Sequence, residues 1–343
     1  MRIAYVSNFR PAPRYKGTEE YVAQALADLG HEVIRFQVPP YRRRGAIARL
    51  EPDVILLHHS RDLPSRWIRA LPRENPRALV VQWLFDHVRP PAEEKWFLAR
   101  ARAWHVSFLK DRGRFPAYRA EGIACHWLHQ GAPAGFAFAS EPDPRHACDV
   151  AFLGNPHHEF RIEVLKRIQA EGFRVHVYTN PANFGPWHRA GFEHVFENVH
   201  DAQMGPVCAS ARFVLAVGFY LDEWEGYWSN RIYMTLASGG LPLTQYVRGM
   251  EEHFEHGKHL LWWRSPDECL SLIREYADRP DERERIRRAG YEEVHRRHTY
   301  HDRAREFAAV CEEHLARLRA REPAPRSRRG LLGFGLARWL RGG

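Results

Sequence analysis

Asp53-Val54-Ile55-Leu56-Leu57-His58 holds an unbroken apolar run of strand length, Val54 to Leu57, that closes on a histidine. A strand with one wet face alternates polar and apolar residues. A continuous run instead predicts a strand covered on both faces, as in a parallel sheet flanked by helices. Outward from it, Ala78-Leu79-Val80-Val81-Gln82-Trp83 is another largely apolar strand, the stretch Trp104 to Leu109 predicts a third, and residues 2–7 and 32–37 predict two more strands. Residues 18–29 predict a helix with Tyr21, Val22, Ala25, Leu26 and Leu29 on one face, capped by Thr18 and ended by Gly30. Strands alternating with helices predict a parallel sheet joined by right-handed crossovers.

The pattern breaks over Gln130-Gly131-Ala132-Pro133-Ala134-Gly135 and Glu141-Pro142-Asp143-Pro144, which predicts a linker. It then restarts. Strands are expected at Asp149 to Leu153, Arg174 to Tyr178, Phe213 to Val217, Leu241 to Gln245 and His259 to Trp263, with helices at Glu159 to Glu171 and Asn230 to Ser238. Three helical stretches follow from Asp267. The last, 299–318, puts Ala304, Phe307, Ala308, Cys311, Leu315 and Leu318 on one face, to pack on its own domain or cross to the first. The expected organisation is a first α/β domain over 1–130, a linker over 131–148, a second α/β domain over 149–320 and a basic tail over 321–343.

Bulk properties narrow the class. The chain has 343 residues, too many for one ordinary core and suited to two domains. No run approaches the ~18 apolar residues of a membrane span. The five cysteines are scattered without a Cys-x-x-Cys pair, which predicts reduced thiols and a cytoplasmic protein. A net charge of +9 suits an anionic partner. Nucleic acid is disfavoured because no zinc-finger spacing or RNA-binding signature accompanies the charge. In the tail, Leu331, Leu332, Phe334, Leu336, Trp339 and Leu340 with flanking arginines read either as an interfacial anchor for an anionic membrane on the cytoplasmic face or as a disordered basic segment.

Open parallel sheets bind ligands beyond the carboxyl ends of their strands. The residues there are Ser7-Asn8-Phe9 with the loop to Gly17-Thr18, then His58, His59 and Ser60, then Phe85-Asp86-His87. In the second half they are Gly154-Asn155-Pro156, Thr179-Asn180-Pro181 and Gly218 through Ser229. His58, His59 and Asp86 are placed to take a proton from a hydroxyl. Asp86 ranks first because it stands between Trp83, Phe85 and His87, where desolvation would raise its pKa. Arg161 and Arg231 each fall in the first turn of a helix, where a cation opposes the helix dipole unless an anion such as a diphosphate sits there. The competing reading pairs each with an acid such as Glu163, Glu223 or Glu225. His157-His158 and His295-x-x-His298 raise metal binding, but no third ligand stands at a suitable spacing, so no metal is expected.

Arg231-Ile232-Tyr233-Met234-Thr235-Leu236-Ala237-Ser238-Gly239-Gly240, with Gly249-Met250-Glu251-Glu252-His253-Phe254 and the closing His298-Thr299-Tyr300, resembles the C-terminal domain of CgeB-like (spore-maturation type) glycosyltransferases, distant relatives of the retaining family 4. Asp149 to Asn155 extends the likeness, and the first half matches loosely through the Gly17 loop and Gly30-His31-Glu32-Val33. The resemblance implies a GT-B fold and a hexosyltransferase-like enzyme with no cofactor beyond its nucleotide-sugar co-substrate. The acceptor stays open between a glycan, a lipid-linked molecule and a small molecule. Carried over by residue, Gly154 and Asn155 line the donor cleft, with Asn180 beside them. Ser229, Asn230 and Arg231 face the diphosphate, and Gly239 and Gly240 turn the chain beside the nucleotide. Asn8, Gly17 and Thr18 form the acceptor-side loop. Glu225-Gly226-Tyr227 looks like the first part of the family-4 pair of glutamates, but the second is missing near Tyr233, Met234 and Thr235. Ribose recognition is therefore expected to differ. A nucleotide-sugar epimerase and a non-catalytic nucleotide-binding module are the alternatives on the same fold.

Overall fold

The computed structural model describes residues 1–9, 17–37, 44–58, 63–88, 92–139, 141–218 and 224–320. His59 and the tail from 321 lie outside the described residues, so those two expectations are not addressed by it.

The first sheet contains β1 (Arg2–Ser7), β2 (Glu32–Gln37), β3 (Val54–Leu57), β4 (Leu79–Trp83), β5 (Val106–Leu109) and β6 (Cys125–Trp127), in the order β2-β1-β3-β4-β5-β6 and parallel throughout. Its helices are α1 (Thr18–Asp28), α2 (Arg44–Arg49), α3 (Ser65–Glu74), α4 (Ala92–Ala101) and α5 (Phe115–Ala120). All four residues of β3 are buried, as its apolar run requires. Ala4, Val6, Ile55, Leu57 and Val80 pack under α2 to α5, while Ile3, Tyr5, Val54, Leu56 and Val81 face α1.

The second sheet contains β7 (Cys148–Leu153), β8 (Val175–Thr179), β9 (Val195–Glu197), β10 (Ala211–Ala216), β11 (Pro242–Gln245) and β12 (Leu261–Trp263), in the order β12-β11-β10-β7-β8-β9, again all parallel. Its helices are α6 (Glu159–Ala170), α7 (Phe184–Arg189), α8 (Met204–Ser210), α9 (Arg231–Ala237), α10 (Pro266–Ala277) and α11 (Pro280–Arg297). The start of α10 shows how sequence sets an end. Ser265 Oγ accepts from Glu268 N–H at 3.2 Å, Pro266 opens the helix, and Glu268 Oε2 accepts from Arg264 N–H at 2.6 Å.

One further helix, α12 (Tyr300–Ala320), resolves the choice left open for 299–318. It crosses back to the first sheet, where Tyr300, Ala304, Phe307, Cys311 and Leu315 complete the core above Tyr5, Leu26 and Trp83. Phe307 stacks on Trp83 with ring centres 5.5 Å apart, and meets Phe108 at 5.0 Å. The chain therefore passes between the halves twice in one place. Ala132 N–H donates to His298 O and Tyr300 N–H to Ala132 O, both at 2.8 Å. Gly131 is required there, since a Cβ would stand 2.6 Å from the Thr299 carbonyl carbon.

Candidate active site between the two sheets

In the second sheet the strand order reverses between β7 and β10, so the loops after them part and leave a crevice. Asn155 and Arg161 follow β7, and Val217 and Gly218 follow β10. Arg161 braces the two loops, its Nε donating to Val217 O at 3.0 Å and its Nη1 to Asn155 Oδ1 at 3.0 Å. Across from them stand Phe85, Asp86 and His87 after β4, and Lys110 after β5. Together with Gln130, His158, Trp224, Tyr227 and Ser229 to Arg231 they line a cleft of about 610 Å³ between the halves.

A second cavity of about 300 Å³ shares Ser229, Asn230 and Arg231 with the cleft. Gly17, Thr18, Tyr21 and Tyr300 close one side of it, and Leu153, Asn198, His200, Asp201 and Met234 the other. Tyr21 hydroxyl donates to Asp201, and Asn230 Nδ2 to the Tyr300 hydroxyl at 3.3 Å.

The segment 224–228 carries the cleft wall over to the first half. Asp111 Oδ1 accepts from Glu225 N–H at 3.1 Å, and Arg112 N–H donates to Glu225 O at 2.9 Å. Trp127 Nε1 and the His129 ring both bond Gly226 O. Gly226 has φ +74°, and a Cβ there would meet the Trp127 ring at 2.6 Å. Beneath this segment, His87 Nε2 donates to Asp111 Oδ2 at 2.8 Å, both residues buried, and the His87 ring lies 3.6 Å from that of Trp224.

Of the residues expected to do chemistry, Asp86, Asn155, Arg161, Ser229, Asn230 and Arg231 come together on the cleft, and Gly17 and Thr18 lie on the adjoining cavity. Of the acids offered as alternative partners, Glu163 pairs with Arg167 and Glu225 with Arg112 and Arg248, while Glu223 lies outside the described residues. The structure places the remaining candidates as follows. Asp86 is exposed, so its apolar neighbours do not desolvate it. His58 does not line the cleft; it is buried against Phe85, 3.3 Å from both the Tyr5 and Ser7 hydroxyls. Glu225 is absorbed in its ion pairs. Asn180 caps a short 3-10 turn by accepting from Ala182 N–H at 3.0 Å. Asn8 Oδ1 accepts from Gln37 Nε2 at 2.8 Å. Gly154 closes β7 with its backbone N–H on Tyr178 O. Gly239 and Gly240 sit at the far end of α9 against Phe138 and Cys208, so their turn serves packing.

Sequence reasoning missed Lys110, Asp111 and Gln130. Lys110-Asp111 directly follows β5, so the strand-end rule that selected Asp86 would have selected them. Burial pushes the Lys110 ammonium down to about 7, with the Asp86 carboxylate pulling the other way. Among the described residues, no three His, Cys, Asp or Glu side chains gather in a group suited to a metal, and no helix is long and apolar enough to cross a membrane.

Two parallel α/β units facing one cleft make the GT-B fold. It is shared with HepE of Anabaena in complex with UDP-glucose, at TM-score 0.65 and 12% identity over 91% of this chain and 100% of that one. Sucrose-phosphate synthase from Thermosynechococcus elongatus aligns at TM-score 0.66 and 12% identity over 92% and 99%. A putative UDP-N-acetylglucosamine 2-epimerase from Listeria monocytogenes aligns at 0.53 and 11% over 92% and 97%. Residues 158–309 match the family model described as Glycosyl transferase-like, under half of the chain and including Arg161 and Ser229 to Arg231. None of the curated proteins compared matches the chain.

Proposed function

We propose that this protein is a glycosyltransferase that moves a sugar from a nucleotide-sugar donor to an acceptor hydroxyl. The observation that carries this reading is the cleft at the strand-order reversal of the second sheet, where Arg161 and Arg231 from one half face Asp86 from the other. As the acceptor oxygen bonds to the anomeric carbon, the bond to the diphosphate oxygen breaks and negative charge collects on the phosphates. Two guanidinium groups on that side oppose it. In an inverting reaction Asp86 takes the acceptor proton. In a retaining one it holds the acceptor hydroxyl. The Arg231–Gly240 block supports placement with the CgeB-like, hexosyltransferase-like enzymes. We read arginine as doing the work of a metal here, with no cofactor beyond the co-substrate.

Incubation of the protein with a panel of nucleotide sugars, with and without candidate glycan, lipid-linked and small-molecule acceptors, tests the proposal. Transfer that needs an acceptor supports it. Conversion of the donor sugar without acceptor would support an epimerase, the reading favoured by the fold shared with the Listeria protein. For location, we propose a cytoplasmic protein whose tail contacts anionic membranes. Removal of the residues after Arg321 is then expected to abolish sedimentation with anionic vesicles, and unchanged sedimentation would refute the contact.

A further inference from the structure

Lys110 directly follows β5 and is only 3% exposed, yet it forms part of the cleft wall with Asp86, Arg161, Ser229 and Arg231. Its Nζ donates to Gln130 Oε1 at 3.0 Å and lies 4.4 Å from the centre of the Tyr227 ring. Among the described residues, no carboxylate comes within the 4.0 Å of an ion pair with it. An ammonium group carries three N–H donors, so hydrogen-bonding capacity remains on the cleft side. A cation taken out of water without a carboxylate is costly to keep charged. An anion in the cleft would remove that cost.

The cleft already has two cations on its other wall. Arg161 and Arg231 belong to the second half, whereas Lys110 belongs to the first. We propose that Lys110 is a third contact for the donor diphosphate, supplied by the half opposite to Arg161 and Arg231. The inference rests on the glycosyltransferase reading for the identity of the anion, and it makes that anion a bridge between the halves.

Proton uptake follows. Burial leaves the Lys110 amine mostly neutral at pH 8, and a diphosphate beside it favours the charged form. Binding at pH 8 therefore draws close to one proton from solution, while at pH 6 it draws almost none. The other titratable and charged groups that line the cleft with Lys110 are Asp86, His87, His158, Tyr227, Arg161 and Arg231. His129 after β6 also faces it, held neutral by burial and then by the Lys110 charge itself. A terminal phosphate, with its second pKa near about 6, is already ionised at pH 8 and adds little.

The test is titration calorimetry at pH 8 with UDP, GDP, ADP and inorganic pyrophosphate, each in two buffers of different ionisation enthalpy. The wild-type protein is expected to take up close to one proton per diphosphate. Lys110→Met is expected to take up none and to bind about tenfold more weakly or worse. Lys110→Arg, permanently charged, is expected to bind within a few-fold of wild type with no uptake, which keeps the test decisive if the Met variant fails to fold. Wild-type affinity together with wild-type proton uptake in Lys110→Met, or wild-type uptake in Lys110→Arg, overturns the assignment while leaving the donor reading intact. Absence of binding by every diphosphate to the wild-type protein overturns the donor reading and this contact with it.

Discussion

In the proposed transfer, charge gathers on the donor phosphates as the sugar bond breaks, and among the described residues Arg161 and Arg231 are the cations that the second half places on the cleft. Their settings differ. Arg161 also ties the loops after β7 and β10 together, so Arg161→Ala is expected to weaken donor binding and turnover alike. Arg231→Ala is expected to lose turnover more than ground-state affinity, by roughly 2–4 kcal/mol in transition-state terms. Both enzymes should keep their rate in EDTA. Affinity and turnover measured with and without chelator check this; full turnover in both variants, or loss on chelation alone, refutes it. Asp86→Asn is expected to bind donor normally and turn over ~10²-fold or more slowly. Near-wild-type turnover would remove Asp86 from the reaction. Asp86 and the arginines were legible because a strand end or a helix start is a local feature. Lys110 obeyed the same rule, but its significance lies in burial beside Gln130 and Tyr227, residues 20 and 117 positions away along the chain.

Among the elements, α12 is the one that completes the core of a sheet in the other half of the chain. Phe307 of α12 is fully buried against the first sheet. Phe307→Ala is expected to cost about 3–5 kcal/mol, read as a lower urea midpoint, by removing its contacts with Trp83 and Phe108. A loss below about 1 kcal/mol would mean that α12 contributes little to that core. The apolar face of α12 was readable from Phe307, Cys311 and Leu315. Its destination was not, because a helical stripe reveals burial without naming the partner. Likewise the continuous runs of β3 and β4 announced themselves, whereas β6 and β9, each three residues long and including a His or a Glu, offer no apolar run to find.

At the scale of the whole molecule, the halves join through a buried cluster of histidines and aromatic rings. His129 stacks on Trp228 at 4.1 Å, and His253 on His298 at 4.8 Å. Burial drives His253 to about 2 and His298 to about 3, with neighbouring charges adding to each, and holds His129 well below its usual value. The unfolded chain binds these protons near pH 6.5 and the folded chain does not, so stability rises with pH between about 3 and 6.5. It is fully present above 6.5 and drains away as pH falls. Urea denaturation from pH 7 to 4 should show this decline, and His253→Phe should reduce its slope by about one bound proton. An unchanged slope would show that His253 protonates freely in the fold. Strand–helix alternation revealed both sheets, since each is built from neighbours in sequence. The cleft was implied only through the family resemblance, because it depends on how two separate units face each other.

The return of α12 also fixes an order of events during synthesis. A nascent chain ordinarily completes its leading half first. Here Trp83, Phe108 and Leu26 have no cover on one side until Tyr300 to Leu315 has left the ribosome. The half made first is thus finished last, and a chain interrupted before Tyr300 would leave the sheet around Trp83 and Phe108, beside α1, uncovered.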